Sequence, residues 1–119
     1  MKAIGVDIIE TQRIADLLAR RGDRFLNRVY TPREVAYCRG NVPSLAARWA
    51  AKEAMSKAFG TGIGDMAFKE IEVTCNRRGQ PKIVLHGQAK LLAERLGFER
   101  IALSLAHTRQ YAVAFVAVD

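Results

Sequence analysis

The chain predicts an α+β fold in which helices pack on an antiparallel β-sheet. Apolar runs with strand-like alternation open the chain in K-A-I-G-V-D-I-I and close it in I-A-L-S-L-A-H-T and Y-A-V-A-F-V-A-V. Segments with helical periodicity, each stopped by a glycine, fill much of the space between them. A further stretch, residues 69–85, alternates Ile71, Val73 and Cys75, turns at N-R-R-G-Q-P and returns as K-I-V-L, the pattern of a β-hairpin. Strands grouped apart from helices, rather than alternating with them one by one, define the class.

The elements follow in order. Residues 2–9 form a buried strand interrupted by Gly5 and Asp7. Thr11 caps a helix running to about Arg21, with Ile14, Leu17 and Leu18 as its apolar stripe and Gly22 as its stop. Thr31-Pro32-Arg33-Glu34 reads as a capping box with proline at the first helical position, opening a short helix to about Cys38. Ser44 is the natural N-cap of the helix that begins at Leu45, and Gly60 closes it. The glycine-rich loop G-T-G-I-G-D at 60–65 precedes the hairpin, residues 88–96 form a helix stopped by Gly97, and two strands finish the chain. The alternation of the last one predicts cover on both faces.

At 119 residues this is one domain, residues 1–119, large enough to bury a real core. No apolar run reaches the ~20 residues of a membrane span, and Asp7 falls where a signal peptide would stay apolar. A cytoplasmic protein without membrane association is expected. Cys38 and Cys75 have no CxxC spacing and read as reduced structural thiols; with only His86 and His107 beside them, zinc is a poor fit. A net charge of +7 favours an anionic partner: nucleic acid, a phosphorylated small molecule or an acidic protein.

The long helix is the most informative segment. At roughly 100° per residue, Ala47, Ala50, Ala51, Ala54 and Ala58 fall on one side, and Trp49, Lys52, Glu53, Ser56 and Lys57 on the other. The alanine side permits close backbone packing. The polar side suits a metal and a phosphorylated ligand, although Glu53 and Lys57 also have the spacing of an ordinary surface ion pair. Asp7 is a carboxylate in an apolar strand, costly unless paired or metal-bound; a backbone donor or Arg13 would also satisfy it. Asp7 and Glu53 together match the one or two protein carboxylates that magnesium takes beside substrate phosphates. Lys57, Arg48 and the backbone of Gly60, Gly62 and Gly64 are phosphate-type partners near them, though that loop equally suits a turn needing positive φ. His107, at a strand end, is either structural, a phosphate donor or a base. Arg13, Arg20, Arg21 and Arg24, with Phe25 and Leu26 among them, suit docking to an acidic protein helix. A nucleic-acid-binding module using the same arginines is the alternative; it leaves Asp7, Glu53 and Lys57 without a role.

G-V-D-I-I-E-T-Q-R-I, R-W-A-A-K-E-A-M-S-K-A-F-G-T-G-I-G and S-L-A-H-T, in that order, resemble the short bacterial class of 4′-phosphopantetheinyl transferases, the holo-[acyl-carrier-protein] synthases. The resemblance covers essentially the whole chain. It implies that family's fold in a homotrimer with sites between adjacent subunits. It also implies magnesium-dependent transfer of 4′-phosphopantetheine from coenzyme A to a serine of apo acyl carrier protein, releasing adenosine 3′,5′-bisphosphate, in support of fatty acid biosynthesis. By the same resemblance, Asp7 and Glu53 bind magnesium against the pyrophosphate, and Lys57 neutralises the phosphates. Glu53, or water held by the two carboxylates, takes the serine proton. Arg48 and His107 approach the 3′-phosphate and adenosine end, the Gly60–Gly64 loop lines the coenzyme pocket, and Arg13, Arg20, Arg21 and Arg24 meet the carrier protein. Two departures from the pattern stand out. Ala106 precedes His107 where Ser or Thr is usual, and Trp49 stands where Phe is more usual.

Overall fold

The computed structural model describes residues 1–62, 64 and 66–119; Ile63 and Asp65, within and beside the predicted glycine loop, lie outside the described residues. The elements run β1 (Ala3–Glu10), α1 (Thr11–Arg21), α2 (Asp23–Val29), α3 (Pro32–Cys38), α4 (Val42–Phe59), a 3-10 turn at Phe68–Glu70, β2 (Ile71–Cys75), β3 (Pro81–Leu85), α5 (Gly87–Arg95), β4 (Ile101–His107) and β5 (Tyr111–Val118). Among these, β1, β5 and β4 form an antiparallel sheet in that order, and β2 and β3 form a separate hairpin.

Helix α4 lies across β1 and β5. Its alanine side is the seam: Ala47, Ala50, Ala51, Ala54 and Ala58 are all buried. Facing it are Gly5, Asp7 and Ile9 of β1, paired with Val116, Ala114 and Ala112 of β5. Gly5 is where the two backbones come closest. A Cβ there would overlap the carbonyl of Ala54 and lie 3.0 Å from the amide nitrogen of Ala58.

Three boundaries differ from the sequence reading. Helix α4 starts at Val42, capped by Asn41, whose Oδ1 accepts the Ser44 amide at 3.0 Å. A proline in the first turn costs no hydrogen bond, so Pro43 does not delay the helix. Thr11 lies inside α1; its hydroxyl donates instead to the Arg109 carbonyl at 2.9 Å. Helix α2 was not anticipated as a separate element. Gly22, at φ 52°, breaks the chain direction and a new helix starts at once, so Arg24 and Arg28 leave the axis of α1. The predicted capping box at Thr31 and Glu34 is present.

Two expectations meet a different arrangement in the single chain. Within one chain strand β5 is covered on one face only: Ala112, Ala114, Val116 and Val118 are buried, whereas Phe115 is 46% exposed. Ile4, Val6 and Ile8 of β1 share its outer face, each more than half exposed. Nor is the non-alanine side of α4 a continuous polar surface. Lys52 and Ser56 are fully buried. Lys52 Nζ donates to Glu34 Oε1 at 2.8 Å and to the carbonyls of Ile71 at 2.6 Å and Phe68 at 3.1 Å. Helix α3 and β2 sit over that part of α4, so the lysine points at elements that the helical wheel alone does not contain. Burial pushes its pKa down, and the Glu34 carboxylate opposes the shift.

Candidate active site

Strand β1 and helix α4 bring Asp7, Glu53 and Lys57 together. Asp7 points to the α4 side of the sheet, two residues beyond the close contact at Gly5. Lys57, on the last turn of α4, donates to Asp7 Oδ1 and to the Val6 carbonyl, both at 3.1 Å. Glu53 lies one turn earlier. Burial raises its pKa above the usual carboxylate range; the Asp7 charge raises it further, while Lys57 and Arg13 pull it back. Two carboxylates that repel one another across β1 and α4 form an oxygen donor pair that a hard divalent cation would relieve. Among the described residues no group of three or more His, Cys, Asp and Glu converges.

The phosphate-type residues are spread more widely. Gly60 closes α4 in the left-handed conformation, φ 85°, its N–H donating to the Lys57 carbonyl at 2.9 Å. That cap turns the chain immediately after Lys57 and starts the Gly60–Gly64 loop beside the lysine. Gly62 and Gly64 also have positive φ. Arg48 lies on another side of α4, 4% exposed, its guanidinium 4.4 Å from the Tyr37 ring centroid. It lines a cavity of about 130 Å³ with Arg33, Val73, Thr74 and Cys75. Among the described residues its Nη groups make only long contacts, 3.4 Å to the Ser44 carbonyl and 3.5 Å to Cys75 Sγ, and its buried Nε has no partner. His107 is exposed at the end of β4, paired through Ala112 with Ile9, two residue pairs beyond the row holding Asp7. A single chain therefore gathers Asp7, Glu53, Lys57 and the start of the glycine loop, and holds Arg48 in a separate cavity.

Next to this cluster is a cavity of about 230 Å³ between α1, α2, α4 and the 3-10 turn. Leu17, Phe25, Trp49 and Phe68 make its apolar walls, and Arg21, Arg24 and Arg28 border it. Trp49 stacks on Phe68 at 4.8 Å between centroids, and the Arg13 guanidinium lies 5.7 Å from the indole. The expected arginine surface is thus present with a different construction. Phe25 is buried against the core, not displayed between the arginines, and Arg28 joins the group while Arg20 does not line it. Phe68 was missed by sequence reasoning, because its place opposite Trp49 depends on a tertiary contact. Missed too was the Glu72 carboxylate, buried while bonded to His86 Nε2 at 3.0 Å and the Thr31 hydroxyl at 2.5 Å.

The family model of the 4′-phosphopantetheinyl transferase superfamily matches residues 3–116. Among curated relatives, the holo-[acyl-carrier-protein] synthase of Halothermothrix orenii is 45% identical over 98% of this chain and 95% of its own. That of Koribacter versatilis is 48% identical, over 97% and 95%. Among solved structures, the Helicobacter pylori holo-[acyl-carrier-protein] synthase in complex with coenzyme A superposes with a TM-score of 0.90 at 32% identity, covering 98% of this chain and 99% of that one. The Neisseria meningitidis synthase gives 0.89 at 35%, covering 100% and 98%.

Proposed function

Since this chain belongs to the 4′-phosphopantetheinyl transferase superfamily, we propose that it moves 4′-phosphopantetheine from coenzyme A to a serine of apo acyl carrier protein. Adenosine 3′,5′-bisphosphate leaves, and the reaction serves fatty acid biosynthesis in the cytoplasm. The observation that carries the reading is the convergence of Asp7, Glu53 and Lys57 at one end of α4. A nucleic-acid-binding module would leave that cluster idle.

The serine oxygen forms a bond to the β-phosphorus of the donor, the one bearing the pantetheine oxygen, as the bridging P–O bond breaks toward the bisphosphate. Magnesium held by Asp7 and Glu53 would stabilise charge on the pyrophosphate. Lys57 brings its ammonium to the same phosphates, leaving the Asp7 carboxylate it holds in the resting chain. Glu53, with its raised pKa, is suited to accept the serine proton. Arg48, buried without a carboxylate partner among the described residues, takes the 3′-phosphate, with His107 at the adenosine end and the Gly60–Gly64 loop along the pocket. Incubation with apo carrier protein, coenzyme A and magnesium should add one phosphopantetheine mass to the carrier, and a chelator should prevent it. An unchanged carrier mass sinks the reading.

Carrier docking belongs on the arginine-bordered cavity, where Arg21, Arg24 and Arg28 ring an apolar well, Arg13 stands over the Trp49 indole, and Arg20 adds charge from the last turn of α1. An acidic helix with one apolar side chain complements both. Arg21→Glu should raise the KM for carrier protein at least tenfold, equivalent to ~1.4 kcal/mol, with the KM for coenzyme A within twofold. A change confined to coenzyme A would misplace the docking surface.

The outer face of the main sheet supports a homotrimer. Ile4, Val6, Ile8 and Phe115 make an apolar surface of the kind that marks protein contacts. Assembly through it offers a way for Arg48 and His107 of a neighbouring copy to meet the Asp7–Glu53 pair. Light scattering should give three times the chain mass, and Phe115→Glu should reduce it to one.

A further inference from the structure

The catalytic-looking segment W-A-A-K-E-A-M-S-K holds two lysines, and only Lys57 reaches the solvent-facing cluster. All three hydrogens of the Lys52 ammonium are used, on Glu34, Phe68 and Ile71, and its side chain is fully buried. It can touch no substrate. Its partners are informative. Glu34 Oε1 also accepts the Thr31 amide at 3.0 Å, and Oε2 accepts the Val73 amide at 3.1 Å. One ion pair therefore joins the start of α3, the middle of α4 and two successive hydrogen-bonding positions on β2. Its third branch ends on the main chain of Phe68, the residue whose ring stacks on Trp49 and walls the apolar well. Phe68 follows the glycine loop and sits in a 3-10 turn of only three residues. Among the described residues, and apart from that short turn, the Lys52 bond is the polar tie between its main chain and α4.

We propose that Lys52, with Glu34, is a positioning residue for acceptor recognition: the buried pair holds Phe68 against Trp49 and thereby sets the shape of the carrier-docking well. This inference rests on the docking assignment above and adds a residue outside the docking surface. The chain's single tryptophan supplies a direct optical readout, because Trp49 is the stacking partner.

The test measures steady-state kinetics with apo acyl carrier protein, coenzyme A and magnesium, together with Trp49 emission and melting temperature. Lys52→Met should red-shift the Trp49 emission and raise the KM for carrier about tenfold, the scale of losing one well-packed anchor. The kcat and the KM for coenzyme A should stay within twofold. Glu34→Gln keeps the two carbonyl bonds of Lys52 but removes its countercharge, and should give the same pattern at about threefold; it carries the test where Lys52→Met folds poorly. Ile83→Ala, a core truncation on β3, is the matched control and should lower the melting temperature without moving the emission or the carrier KM. If the Lys52 and Glu34 variants behave like Ile83→Ala, the pair is merely structural and the proposal fails, while a raised carrier KM in Arg21→Glu would leave the docking assignment standing. If wild-type protein does not modify the carrier, it is the functional reading itself that fails.

Discussion

Glu53→Gln is expected to abolish transfer, lowering kcat by at least the 100- to 1,000-fold typical of removing one group that stabilises developing charge, on the order of 3–4 kcal/mol. Asp7→Asn should do the same. The stability of the empty protein should move the other way. Burial and the neighbouring Asp7 raise the pKa of Glu53, so its ionised form is disfavoured in the folded state. A carboxylate with a raised folded pKa contributes stability that is intact below its unfolded pKa and is lost as pH rises through the folded value. Above the folded pKa that loss is complete, and a neutral glutamine avoids it. Thermal melts of the metal-free protein at pH 7 should therefore show Glu53→Gln at least as stable as the wild type. The wild-type advantage should return only toward acid pH. A variant that is both inactive and unfolded would mean Glu53 is structural; a variant with normal turnover at ordinary magnesium would remove the two-carboxylate model. The activity profile carries the same sign. Protons compete for Glu53 at higher pH than for an ordinary glutamate, so turnover should begin to fall on acidification earlier than an unperturbed carboxylate would dictate.

Gly5→Ala should be nearly as damaging, from a residue with no functional group. The added methyl has no room, because it would overlap the main-chain carbonyl of Ala54, and a helix backbone cannot rotate away as a side chain can. Relief requires β1 and α4 to separate. The cost in stability should be about 1–3 kcal/mol or more, the range for overpacked cores. The catalytic cost should exceed what that loss explains, since Asp7 lies two residues from Gly5 on β1 and Glu53 adjoins Ala54 on α4. Activity measured well below the melting temperature separates the two effects. Full kcat in a merely less stable Gly5→Ala protein would show that the spacing of the carboxylates is not set at this contact.

The parts of the fold that were legible from sequence are those written in local pattern. The Thr31–Glu34 capping box, the alanine seam, the hairpin at 71–85 and the α+β class all follow from short-range rules. So did the pairing of Asp7 with a charged group, although the partner is Lys57 and not Arg13. What failed depended on neighbours distant in sequence. Lys52 looked like part of a polar face because a helical wheel does not contain Glu34, eighteen residues away. Strand β5 looked two-sided because both of its faces are largely apolar, and the position of α4 decides which face a single chain covers. The Trp49–Phe68 stack crosses a loop whose path no local rule sets.

Arg48 gives the empty protein an unresolved tension. Its guanidinium is taken out of water and receives an aromatic face and two stretched contacts in return, with no anion beside it among the described residues. Such a group is frustrated at rest. Whatever negative charge enters that cavity is drawn by its own Coulomb attraction and also by the relief of a desolvation cost the fold has already met. Affinity at this point is thus stored in advance, as stability that the unliganded chain forgoes.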